Sequence, residues 1–120
     1  MPLILYTEDD AILQAEGDMF LADAGYEVMT ASTGAEACAL LREHGPRVSA
    51  LITDINLSDG PDGWRVAEVG REIRGSLPVL YVSASDGDAF RARGVRNSIW
   101  SPKPFEWPRL LRTVSHMLAH

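Results

Sequence analysis

Apolar and polar positions along the chain follow two alternating rhythms. Short runs of strand length, "LILYT" (3 to 7), "EVMTA" (27 to 31), "VSALIT" (48 to 53) and "PVLYVS" (78 to 83), are apolar or alternating and rich in β-branched or aromatic residues; "SIWS" (98 to 101) is a weaker fifth. Between them the spacing is helical. It is clearest at the end of the chain, where Trp107, Leu110, Leu111, Val114, Met117 and Leu118 make one apolar stripe that predicts a closing helix running through "PRLLRTVSHMLAH" to the last residue. "TGAE" (33 to 36) is a capping box opening the second helix and "HGP" (44 to 46) stops it. The first helix, about 11 to 23, is expected to bury Ile12, Ala15, Met19 and Ala22, with Gly17 weakening it by up to ~1 kcal/mol. A third, about 63 to 74, uses Trp64, Ala67, Gly70 and Ile73. In "SDGDAFRARGV" (85 to 95) only Ala89, Phe90 and Ala92 are available to bury, which predicts a short or irregular fourth helix.

Strands apolar on both faces, alternating with helices, predict an α/β fold with a mostly parallel sheet covered by helices on each side. At 120 residues, with no repeat, linker or low-complexity tract, the chain is expected to form one domain over 1–120. In such sheets the ligand site lies at the carboxyl ends of the strands.

Composition narrows the function. Eleven basic against 17 acidic residues give a net charge of −6, which argues against direct nucleic-acid binding and against attraction to anionic membranes. The single Cys38 cannot make an internal disulfide, and "MPLILYTEDD" has neither a basic leader nor an apolar run long enough for a signal peptide or span, so the expected location is cytoplasmic.

The residues at the strand ends are Glu8, Asp9 and Asp10 after the first, Asp54 after the third, Ser83 after the fourth and Lys103 beyond the fifth. Each has a bland reading. "EDD" can be acids set against a helix dipole, the reading preferred for Asp10, and Asp54 alone can start an Asx-turn. Together they say more: converging carboxylates repel unless a hard divalent cation such as Mg2+ sits among them, and a lysine with a hydroxyl opposite suits a phosphoryl group. His44, His116 and His120 have no partner at metal or relay spacing and are read as surface residues, and Asp59, Asp62, Asp86 and Asp88 as solvated turn residues.

"ILYTEDD", "LITDINL", "LPVLYVSAS" and "SPKPF", in this order and at these separations, resemble the receiver domain of bacterial two-component response regulators over essentially the whole chain. The resemblance implies a flavodoxin-like (βα)5 sandwich of three layers with strand order 2-1-3-4-5. It implies Asp54 as phosphoacceptor for a histidine kinase or histidine phosphotransfer protein, and Glu8, Asp9, Asp54 and the backbone carbonyl of Asn56 as Mg2+ ligands. Lys103 would pair with the phosphoryl group, Ser83 would be the switch hydroxyl and Trp100 the aromatic that reorients with it. Output would run through protein contacts on the face around residues 85–107, and the domain would be no enzyme beyond assisting its own phosphorylation and dephosphorylation. Three departures stand out: Ser58 where a proline is frequent, in a loop about one residue long; about two residues fewer between Ser83 and Lys103; and tryptophan at position 100.

Two other classes share parts of this pattern. A flavodoxin-like FMN carrier would have similar layers, but three acids in the first loop would repel a flavin phosphate. A small Mg2+-dependent phosphohydrolase with Asp54 as nucleophile usually wants a second acid two residues on, where Asn56 has no ionisable proton.

Overall fold

The computed structural model describes residues 1–85 and 87–119, so Asp86, read above as a solvated turn residue, and His120, read as a surface residue, lie outside the described residues. Five strands, β1 (Leu3–Thr7), β2 (Glu27–Ala31), β3 (Val48–Asp54), β4 (Val79–Ser83) and β5 (Ile99–Pro102), alternate with α1 (Ala11–Asp23), α2 (Gly34–His44), α3 (Gly63–Ile73), α4 (Gly87–Arg93) and α5 (Trp107–Leu118). The strands pair in parallel in the order β2-β1-β3-β4-β5, as the resemblance implied. Register brings their ends into line: Thr7 lies opposite Ala31 and Thr53, Asp54 opposite Val82, and Ser83 opposite Pro102.

Alternation along each strand divides the core in two. Leu5, Leu51 and Tyr81 face α2, α3 and α4, while Ile4, Tyr6, Ile52 and Leu80 face α1 and α5. The second helix starts as its capping box predicts: Thr33 accepts from the Glu36 amide at 3.0 Å, and Glu36 accepts from the Ser32 amide at 2.9 Å. The last helix buries Trp107, Leu110 and Val114 but ends at Leu118 rather than running to the final residue. Helix α4 is short, seven residues with none buried.

The first helix turns the other way from expectation. Ile12 and Met19 are 72% and 53% exposed, and Ala15 and Ala22 also face out, while Gly17 and Leu21 are buried and Phe20 stacks on Trp107 at 5.6 Å between ring centroids. The reason is Gly17, where a Cβ would run into the Tyr6 ring and come within 2.9 Å of Trp107. The helix approaches the sheet most closely at its smallest residue, so the packed face contains the gap rather than the richest apolar stripe.

Candidate functional site

The site forms where β1, β3 and β4 end. Strands β1 and β4 are buried along their whole length and β3 everywhere but Ser49 near its start, so the site forms from the residues at or just past the strands' last positions. Glu8 follows β1, with its amide held by the Ala31 carbonyl at 3.0 Å and its side chain 1% exposed. Asp54 closes β3 with 6% exposure. The chain leaves it through a tight loop whose end, Gly63, packs so closely on the Asp54 carbonyl that a side chain there would clash. Lys103 is set beside Ser83 by a backbone bond from its amide to the Ser83 carbonyl at 2.9 Å, and its peptide to Pro104 is cis. Its ammonium then reaches both acids, at 2.7 Å from Glu8 Oε1 and 3.0 Å from Asp54 Oδ2.

Carboxylate oxygens from Glu8, Asp9 and Asp54 lie within 4.8 Å of one another. Three hard oxygen donors at that spacing fit one divalent cation with waters completing the shell. Their charges are unequal in cost. Burial pushes the Glu8 carboxyl up to about 6, against the opposing pull of Lys103 and the Asp10 amide. Partial burial also works against the Asp9 carboxylate, but hydrogen bonds with Ser58 and Glu8 hold it below its usual range. For Lys103 burial opposes the charge too, yet the bonds to Glu8 and Asp54 outweigh it and raise the ammonium above an ordinary lysine.

A pH dependence follows. Glu8 binds its proton more tightly folded than unfolded, so it favours the fold fully below 4.5 and loses that contribution as pH rises through about 6. Between those limits the shift corresponds to about 2 kcal/mol. Chemical denaturation of the metal-free protein is therefore expected to show stability rising as pH falls from 7 toward 4.5, and Glu8→Gln should flatten that slope. A wild-type curve flat across this window would mean that Glu8 is not buried as described.

Around this centre, Asn56 is exposed and its amide donates to Asp54 Oδ1 at 3.3 Å. Ser83 is 1% exposed, at the end of β4 beside Lys103, and its hydroxyl accepts from the Ser85 amide at 3.4 Å. Trp100 stands apart from the carboxylates, on β5 opposite Tyr81. It is half-buried, its ring packs 3.1 Å from where a Gly87 Cβ would be, and its indole nitrogen is buried without an acceptor among the described residues. Asp10 caps α1, accepting from the Ile12 and Leu13 amides, and Asp62 caps α3. His116 is exposed, but His44 is half-buried at 3.7 Å from Glu43.

Two contributors escaped the sequence reading. The Ser58 hydroxyl donates to Asp9 Oδ2 at 2.8 Å, tying the β3–α3 loop to the acidic pair at a position noted only as a departure. Gln14 donates to the Glu8 carbonyl and to Ser32, both at 3.0 Å, and so braces the loop after β1. Nothing in their spacing announces either contact.

This arrangement agrees with comparison to known proteins. The sequence matches the family described as the response regulator receiver domain over residues 4–115. The chain belongs to that family. Over 98% of its length the receiver domain superposes on 94% of a crystallised response regulator receiver protein from Sinorhizobium medicae, with 37% identity and a TM-score of 0.93. It is 28% identical over 117 residues to the sensor kinase CckA of Brucella abortus, covering 96% of this chain but 12% of that protein. It is 36% identical over 87 residues to the virulence transcriptional regulatory protein PhoP of Salmonella typhimurium, covering 72% of this chain and 38% of PhoP. The chain thus spans a small part of these relatives, and in both kinds of protein the receiver domain is a signalling module. No helix among the described residues is long and apolar enough to cross a membrane.

Proposed function

We propose that residues 1–120 act as one cytoplasmic receiver unit that takes a phosphoryl group onto Asp54 from a histidine kinase or a histidine phosphotransfer protein. The observation that carries this reading is the meeting of three carboxylates with one lysine, Nζ at 3.0 Å from Asp54. In the transfer an Asp54 oxygen bonds to phosphorus in line with the departing histidine nitrogen, which keeps the electron pair of the broken P–N bond. Lys103 neutralises charge on the phosphoryl oxygens, and Ser83 donates to one of them. Mg2+ held by Glu8, Asp9, Asp54 and the Asn56 carbonyl would supply further charge neutralisation. Water attack at the same phosphorus restores the carboxylate, so the domain assists only its own phosphorylation and reset.

Metal binding is expected to stabilise the fold, because the ion relieves repulsion that exists only when the chain is folded. At Mg2+ tenfold above its Kd the gain is about 1.4 kcal/mol, a few degrees in Tm. Asp9→Asn should weaken that response and cost the metal-free protein a little stability near neutral pH, because the lowered pKa of Asp9 means that its charged form favours the fold. A wild-type Tm that ignores millimolar Mg2+ counts against the metal site.

Signal output is assigned to the face around residues 85–107, with Trp100 as its reporter. Trp100 already packs against Gly87, so its response to phosphorylation is a small repacking, a population shift rather than a large swing. With Trp64 and Trp107 replaced by Phe, a phosphoryl mimic with Mg2+ should change Trp100 emission, and Ser83→Ala should remove the change. The same emission change in Ser83→Ala would break the link between the two residues.

A further inference from the structure

The end of the sheet opposite the carboxylates carries a separate cavity of about 480 Å³. It is formed by Arg71 in the last turn of α3, Ser76 and Pro78 in the α3–β4 loop, the first residues of β4 and β5 (Val79 and Ile99), and Met117 near the end of α5. Asp54 pairs with Val82, so the cavity lies about 10 Å down the strand from the acidic centre. Val79 is buried and Pro78, Ile99 and Met117 are half-buried, which makes the floor apolar. Arg71 supplies the charge. Its Nε donates to the Leu77 carbonyl at 2.6 Å and its Nη2 to the Asn97 carbonyl at 3.5 Å, so the guanidinium is braced between the loops that precede β4 and β5. It is half-buried, yet no carboxylate among the described residues is in ion-pair contact with it, whereas Arg47, Arg65 and Arg93 each have one. Burial holds its pKa below the ordinary arginine range, Tyr81 offsets part of that, and the like charge of Arg96 adds to it.

We propose that this cavity binds a small organic carboxylate, whose oxygens pair with the Arg71 guanidinium while an apolar body lies on Ile99 and Met117. The site is independent of phosphoryl transfer at Asp54. Three observations favour that ligand. A guanidinium that has lost water without gaining a counter-ion is stabilised by an anion that reaches it, and its planar fork matches a carboxylate. Its two carbonyl contacts already fix the side chain, so little rotamer freedom remains to be lost on binding. The apolar floor excludes water from one side of the ion pair and offers a hydrocarbon body a surface to cover, which a bare inorganic ion cannot use. The chain as a whole carries a net charge of −6 and repels anions at long range, so selective binding here has to come from these local contacts.

The test uses the full chain in metal-free buffer, with phenylacetate and its neutral isostere phenylacetamide as probes, read by backbone amide NMR shifts. Phenylacetate should move the Val79, Ile99 and Met117 signals and bind at least about tenfold tighter than phenylacetamide. Arg71→Gln should remove that preference, and Arg96→Gln should reduce it. Because Arg71 also braces two loops, a second variant leaves it in place. Ser76 is exposed, so Ser76→Asp should keep the wild-type Tm, while its tethered carboxylate competes with the probe and weakens binding at least about tenfold. Ser76→Asn should bind as the wild type does. Equal affinity for the two probes overturns the proposal, and so does an undiminished preference in Ser76→Asp. Shifts gathered around Lys103 instead of Val79 and Ile99 overturn it by placing the probe at the phosphoryl site. Inorganic phosphate binding as tightly as phenylacetate also overturns it, since the apolar floor would then contribute nothing.

Discussion

Incubation with Mg2+ and a small acyl phosphate is expected to raise the intact mass by one phosphoryl group, and Asp54→Asn to abolish the rise completely. The geometry distinguishes the three candidate acids. Glu8 is 1% exposed, accepts from Lys103 and the Asp10 amide, and burial favours its protonated form, all of which make it a poor nucleophile. Asp9 is more open, but one oxygen is engaged by Ser58 and its lowered pKa makes it a weaker base. Asp54 lies between them in exposure, with Oδ2 on Lys103 and Oδ1 loosely held by the Asn56 amide at 3.3 Å. An incoming phosphoryl group there meets the ammonium at once. Stability should change little, because Lys103 keeps Glu8 as partner when Asp54 is neutralised. Labelling that persists in Asp54→Asn would move the phosphoacceptor to another carboxylate.

Much of this site was legible in the sequence because strand ends are fixed by hydrophobic pattern, and pattern is local. β1, β2 and the limits of α1 fall where the apolar runs place them, so Glu8, Asp54, Ser83 and Lys103 converge once the sheet is parallel. What was not legible depends on distance between elements. The inward face of α1 was set by the fit of Gly17 against Tyr6 and Trp107, residues 11 and 90 positions away, and no periodicity within the helix encodes that fit. Ser58 reaches Asp9 across 49 residues and Gln14 reaches Ser32 across 18, through side-chain bonds that only the folded loops define. The brevity of α4 was legible for the opposite reason: a local segment with so little to bury cannot sustain a long helix.

Loss of Lys103 is expected to be the most disruptive single change, and its effects should separate by pH. Among the described residues its ammonium is the only cation in ion-pair contact with Glu8 and Asp54. Lys103→Met keeps much of the side-chain volume but strands two buried carboxylates, a change that costs about 3 kcal/mol near neutral pH. Without the ammonium, the pull that opposes desolvation of Glu8 disappears, so its carboxyl should move further above about 6. The variant should then regain stability on acidification earlier than the wild type, since a raised folded pKa makes the protonated form the stable one. Adding Glu8→Gln to Lys103→Met should recover part of the loss at pH 7, a non-additivity that two residues in contact are expected to show. Phosphoryl transfer should slow by about 10²-fold or more, because one preorganised charge facing the transferring group is gone. Urea denaturation at several pH values and a labelling time course read these effects independently. If Lys103→Met matched the wild type in both stability and its pH profile, the ammonium would not be paired with Glu8 in solution, and the electrostatic account of the site would have to be rebuilt around a different cation.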